Sequence, residues 1–294
     1  MLTIETAADL RREVSAWRRA GERVGFVPTM GNLHAGHYSL IDIARRRCDR
    51  VVASVFVNPT QFGPNEDYTR YPRTLEGDRD GLAQAGCDLL FAPSVETMYP
   101  FGAQVAVSVR VPVVTEPLEG TFRPGHFDGV ATVVTRLFNL VQPDIAVFGR
   151  KDYQQLLTIR RLVADLSLPI EIVAGETLRE ASGLAMSSRN QYLSDAEREL
   201  ATTIHRTLLR MRDSVAAGAA ISEVEADAAA ALDAAGFRTD YAAIRRAEDL
   251  APAGDRRSDL VGLIAARLGT TRLIDNLPFV GFTPENDCEP RHNQ

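Results

Sequence analysis

Arg23-Val24-Gly25-Phe26-Val27-Pro28-Thr29-Met30-Gly31-Asn32-Leu33-His34-Ala35-Gly36-His37 is the stretch on which the fold turns. Its first five residues read as a strand, and Gly36 to about Arg47 carries Leu40, Ile41, Ile43 and Ala44 on one side of a helix. Val51-Val52-Ala53-Ser54-Val55-Phe56-Val57 follows, almost continuously apolar. A strand apolar on both sides is covered on both faces, as in a parallel sheet. Downstream the unit repeats. His126 to Val141 has apolar residues at helical spacing, then comes the strand Ile145-Ala146-Val147-Phe148, a helix from about Tyr153 to Leu166, and the strand Ile170-Glu171-Ile172-Val173. Alternation of this kind predicts a doubly wound α/β domain over residues 1–176.

Beyond that the pattern changes. Ser194-Asp195-Ala196-Glu197 is a capping box that opens a helix to about Ala217, and Ile221 to Ala235 is a second, alanine-rich helix. Strand candidates at about 238–245, 261–266 and 271–275 complete a smaller α+β domain over 177–294, whose polar tail from Pro284 reads as poorly ordered. Trp17 reads as core in an N-terminal amphipathic helix.

Composition narrows the function. The 294 residues are 45% hydrophobic and 24% charged, with a formal net charge of -6, which gives no field to attract nucleic acid or an anionic membrane. Apolar runs fall short of the roughly 20 residues that span a bilayer, and the N-terminus lacks signal-peptide features. Cys48, Cys87 and Cys288 are odd in number and without metal-like spacing, so a reducing cytosol is expected, with no disulfide framework and no structural zinc.

Chemistry is expected where strands end and helices begin. His34 and His37, three apart at a helix start, share a face, and the helix N-terminus offers N–H donors to a phosphate. Gly36 between them lets an anion approach the backbone. Asn58-Pro59-Thr60-Gln61-Phe62-Gly63 ends the second strand with amides suited to carboxylate or hydroxyl groups, although an ordinary Asn-Pro turn fits too. Gly149-Arg150-Lys151-Asp152 sets a point charge at another helix start, with Gln155 one turn on. Met186-Ser187-Ser188-Arg189 after Gly183 is composed like a phosphate clamp, and equally like a plain loop. Glu76-Gly77-Asp78-Arg79-Asp80 reads as a solvated helix start, and His205 has no evident catalytic partner.

Together with Arg123-Pro124-Gly125-His126-Phe127 and Ala265-Ala266-Arg267-Leu268-Gly269-Thr270-Thr271-Arg272-Leu273-Ile274-Asp275-Asn276, these motifs closely resemble the pantothenate synthetases, members of the nucleotidyltransferase superfamily with the His-x-Gly-His signature. The resemblance implies a Rossmann-like domain with a C-terminal lid, a cytoplasmic homodimer, and a two-step Mg²⁺-dependent reaction. Pantoate would attack the α-phosphate of ATP to give pantoyl adenylate, and β-alanine would then displace AMP. By the same resemblance ATP would lie against Met30, Gly31, Asn32, Leu33, His34, Ala35, Gly36, His37, Gly149, Arg150, Lys151, Asp152, Leu178, Met186, Ser187, Ser188 and Arg189. His37 would act as an acid beside His34, helped by Lys151 and Arg189. Gln61, Gln155 and Asn58 would hold pantoate, and Gln61 would also meet β-alanine. Three positions depart from the family pattern. Arg150 replaces a usual acid or amide and adds charge near the phosphates, Ser182 replaces a usual Asp, and the acidic stretch linked to metal in some relatives is matched only by Asp78, so no metal ligand is assigned.

Overall fold

The computed structural model describes residues 1–64, 66–254 and 259–279. The polar tail from Pro284, with Cys288 and His292, lies outside them.

The first unit comprises residues 1–178 with 186–188. Its strands are β1 (Leu2–Ile4), β2 (Val24–Thr29), β3 (Arg50–Val55), β4 (Leu89–Phe91), β5 (Ile145–Gly149) and β6 (Glu171–Gly175). They form one sheet in the order β1-β4-β3-β2-β5-β6, and every pairing is parallel. The helices between them are α1 (Ala7–Arg19), α2 (Ala35–Arg45), α3 (Leu75–Gln84), α4 (Val95–Met98), α5 (Glu119–Phe122), α6 (His126–Val141) and α7 (Tyr153–Asp165).

Alternation along each central strand serves two cores. Phe26, Val52, Ala146 and Phe148 face Leu10, Trp17, Val134 and Phe138 from α1 and α6. Val27, Ala53, Ile145 and Val147 face Ile41, Ala44 and Leu82 from α2 and α3. Every other residue thus enters a different apolar layer, and so the strands read as continuous apolar runs.

The second unit holds 179–185 and the described residues from 189 onward. The boundary differs from the one expected at 176/177 because the chain crosses out at Arg179, returns for Met186–Ser188, and leaves again at Arg189. Helices α8 (Asp195–Ala216) and α9 (Ile221–Ala234) accompany an antiparallel sheet β7-β8-β9, from Arg238–Arg246, Leu260–Leu268 and Thr271–Pro278. Ser194 accepts from Glu197 N–H and Glu197 reaches back, the capping box read in the sequence. Leu208, Leu232, Ile244 and Ile264 form the core of this unit.

Candidate active site

Strand order locates the site. From β2 the chain moves to β3 on one side, whereas β5 leads to β6 on the other, so β2 and β5 flank a topological switch point. Open parallel sheets bind ligands beyond the carboxyl ends of strands at such a point. The histidine turn leaves β2 there, Asn58–Gln61 follows β3, and Gly149–Asp152 closes β5.

His34 is the N-cap of α2. Its Nδ1 accepts from Gly36 N–H at 3.2 Å, and His37 Nδ1 accepts from His34 N–H at 3.3 Å. The two imidazoles therefore act as a capping box, with ring centroids 4.1 Å apart. A main-chain N–H can only donate, so each ring carries its proton on Nε2, on the side away from the backbone. A side chain at Gly36 would come within 3.0 Å of the His34 ring. Burial, then the nearby Lys151 charge, lowers His34 to about 4 against a partial opposing effect of Asp152. Burial, His34 and Lys151 lower His37 to about 3. Both rings are neutral donors at pH 7, and Lys151 is close enough to affect each.

The turn before them is gripped from α3. Asp78 is only 2% exposed and accepts from Asn32 N–H at 2.9 Å, Leu33 N–H at 2.8 Å and the Thr74 hydroxyl at 3.2 Å. The expectation of a solvated helix start is therefore corrected at Asp78. Its carboxylate is buried because two otherwise unpaired N–H groups require it. Asn32 also exchanges hydrogen bonds with Ser188, Nδ2 to the Ser188 carbonyl at 3.3 Å and Ser188 Oγ to the Asn32 carbonyl at 3.0 Å.

After β3, Asn58 is 1% exposed and its amide is fully engaged. Nδ2 donates to Gln61 Oε1 and the Gly129 carbonyl, both at 3.1 Å, while Oδ1 accepts from Tyr99 at 2.8 Å and Thr60 Oγ1 at 3.0 Å. Asn58 thus orients Gln61, whose Nε2 meets Met30 Sδ at 3.2 Å.

After β5, Lys151 lies 3.9 Å from Asp152, and Gln155 is half-buried. Gln154 turns inward instead, tying Glu119 N–H and the Val114 and Pro117 carbonyls to α7. The buried Arg150 pairs with Glu176 at 3.0 Å, so its added charge is balanced within the protein. Leu178 is exposed and its carbonyl accepts from Met186 N–H at 2.9 Å. Ser187 and Ser188 are half-buried in the first unit, whereas Arg189 belongs to the second. In the second unit Ser182 Oγ accepts from Leu184 N–H at 3.4 Å, a long, weak hydroxyl turn.

Among the described residues, no group of three or more His, Cys, Asp or Glu could hold a metal ion, and no helix is long and apolar enough to cross a membrane. Cys48 and Cys87 are free, with burial raising both thiols to about 11.

The pantoate-beta-alanine ligase family model matches residues 2–278. The pantothenate synthetase of Xanthomonas euvesicatoria pv. vesicatoria is 61% identical over 278 residues, covering 94% of this chain and 99% of the relative. That of Xylella fastidiosa is 61% identical over 280 residues, covering 94% and 100%. Among solved structures, the pantothenate synthetase from Thermus thermophilus aligns with a TM-score of 0.88 at 54% identity, covering 94% of this chain and 99% of that one. A pantoate-beta-alanine ligase from Francisella tularensis, complexed with beta-gamma ATP and beta-alanine, aligns at 0.80 and 34% identity, covering 95% and 97%. With its histidine turn, amide turn and lysine turn gathered at one switch point, the chain belongs to the pantoate–β-alanine ligase family.

Proposed function

We propose that this ligase condenses (R)-pantoate with β-alanine in two ATP-driven steps. In the first, a pantoate carboxylate oxygen bonds to the α-phosphorus while the bond to the β-phosphate bridging oxygen breaks, releasing pyrophosphate. In the second, the β-alanine amine attacks the acyl carbon, loses a proton, and AMP departs with the bridging oxygen. The observation that carries this reading is the pair of neutral Nε2–H donors on His34 and His37, across the switch point from Lys151.

A carboxylate approaching a triphosphate is repelled. Fixed donors and a cation facing the phosphates oppose that repulsion, each worth roughly 3 kcal/mol in the transition state. The protonation of the histidines supports hydrogen-bond donation to the departing pyrophosphate rather than acid catalysis by an imidazolium. Met30–His37, Gly149–Asp152, Leu178 and Met186–Ser188 form the nucleotide site, Arg150 through its backbone, and Gln61 and Gln155 grip pantoate. Gln61 also meets β-alanine. Mg²⁺ enters bound to ATP, since Asp78 is committed to main-chain donors.

We place the enzyme in the cytosol, where its free thiols remain reduced. It works as a homodimer, supported by the apolar strip Phe101, Val105 and Val107, which are 89%, 75% and 80% exposed in the single chain. Val107→Asp is expected to give a monomer by sedimentation, and an unchanged dimer refutes this surface.

The reaction is tested by product analysis. AMP and pyrophosphate should accumulate from ATP only when pantoate and β-alanine are both supplied. Turnover without pantoate refutes the assignment.

A further inference from the structure

The motif Arg123-Pro124-Gly125-His126-Phe127 has no ligand role in the reading above. In the structure it carries a chain of hydrogen bonds that ends on Gln61. Arg123 grips Glu66 with two arms, Nε to Oε1 at 2.7 Å and Nη2 to Oε2 at 2.6 Å. Its Nη1 lies 3.1 Å from His126 Nε2, and His126 Nδ1 lies 2.8 Å from the Gln61 carbonyl oxygen. A guanidinium only donates and a carbonyl only accepts. His126 must therefore hold its proton on Nδ1 and accept at Nε2, the tautomer opposite to that of His34 and His37.

The surroundings keep it so. Burial, then the Arg123 charge, lowers His126 to about 4. Burial alone would raise Glu66, but the hydrogen bond and charge of Arg123 outweigh it and leave its pKa lowered. Packing adds a steric fit. A Cβ at Gly129 would come within 2.4 Å of the Thr60 carbonyl oxygen and 2.7 Å of Gln61 Cα, so α6 lies directly against the peptide that His126 holds. Gln61 is thus gripped at its carbonyl by His126, at Oε1 by Asn58 and at Nε2 by Met30.

We propose that His126, oriented by the Arg123–Glu66 pair, is a positioning residue that fixes the Gln61 peptide and so aims its carboxamide at pantoate. The proposal rests on the reading that Gln61 grips pantoate. Its selective consequence is that loss of the His126 donor weakens pantoate binding while leaving ATP binding intact.

The test is steady-state kinetics of full-length His126→Phe, His126→Ala and His126→Asn. Phe keeps the bulk without a donor, and Asn returns an N–H near the former Nδ1. His126→Phe and His126→Ala should raise KM for pantoate about tenfold, the factor matching a loss of 1.4 kcal/mol, about one hydrogen bond. KM for ATP should stay within about twofold, and His126→Asn should recover most of the pantoate affinity. If His126→Ala fails to fold, the Phe–Asn comparison decides alone. An unchanged pantoate KM, equal rises in both KM values, or Asn no better than Phe overturns the proposal while the wild-type reaction stands. A wild-type protein that makes no pantoate-dependent AMP instead removes the reading of Gln61, and the proposal with it.

Discussion

Replacing Asp78 by Asn separates two roles for the one buried acid of α3. The carboxylate serves Asn32 N–H through Oδ2 at 2.9 Å, and Leu33 N–H and Thr74 through Oδ1 at 2.8 and 3.2 Å. An amide has one acceptor oxygen. Its better placement keeps that oxygen at the Oδ1 position, where two donors converge, and sets the NH₂ group against Asn32 N–H. One hydrogen bond to a charged acceptor is then lost, at about 1.5–3 kcal/mol, and the other two weaken by about 1 kcal/mol together. Burial prevents water from substituting. The loss is about 3 kcal/mol, divided between global stability and the order of the turn that we propose meets the nucleotide. Urea unfolding of Asp78→Asn should show a drop of roughly 2–3 kcal/mol, and KM for ATP should rise about tenfold or more at saturating Mg²⁺. A metal-ligand role gives another pattern, a raised Mg²⁺ requirement relieved by excess metal with unfolding unchanged within about 0.5 kcal/mol. That pattern would refute the main-chain grip.

The other perturbations touch the histidines and the Ser182 turn. His37→Ala should cost about 1 kcal/mol through the lost cap and cut adenylate formation by roughly 10²-fold, while activity within a few-fold of wild type removes His37 from the chemistry. Ser182→Asp should leave activity unchanged within a few-fold, because a carboxylate can take over the weak acceptance from Leu184 N–H. Complete loss of activity would show that the 186–189 loop is arranged unlike the family pattern. His37 and His126 have folded-state values of about 3 and about 4, below the ordinary 6.5, so the unfolded chain binds their protons first. Their contribution to stability is complete well above pH 6.5 and is lost as pH falls toward 4 and below, on the order of 3 kcal/mol per pH unit near pH 5 for two protons. Urea midpoints should fall between pH 7 and pH 5, and a flat profile contradicts the neutral buried rings.

The sequence made the central strands legible because Phe26 and Val27, or Val52 and Ala53, must each satisfy a different apolar layer. The two edge-side strands were not, since Leu2–Ile4 and Leu89–Phe91 are three residues long and carry too little period to register. His34 and His37 stood out through their spacing at a helix start, yet their tautomers depend on main-chain donors that spacing cannot show. The role of Asp78 is hidden in the sequence for a related reason, because its partners are backbone groups of Asn32 and Leu33, far upstream. The motif around His126 was visible as a pattern only, since its target is the Gln61 carbonyl. Arg150 reads in the sequence as added phosphate charge, which Glu176, distant from it along the chain by 26 positions, balances in the fold.

Transfer of an isotopic label tests the central claim most directly. With ¹⁸O in the carboxylate of pantoate, attack on the α-phosphate moves one labelled oxygen into AMP when β-alanine displaces it. Attack on the γ-phosphate would instead form an acyl phosphate and ADP. His34, His37 and Lys151 lie at strand ends and helix starts where we propose that the nucleotide binds, and the expected result is label in AMP, with pyrophosphate exchange into ATP that requires pantoate but not β-alanine. Label in inorganic phosphate, or ADP as the nucleotide product, contradicts the adenylate route.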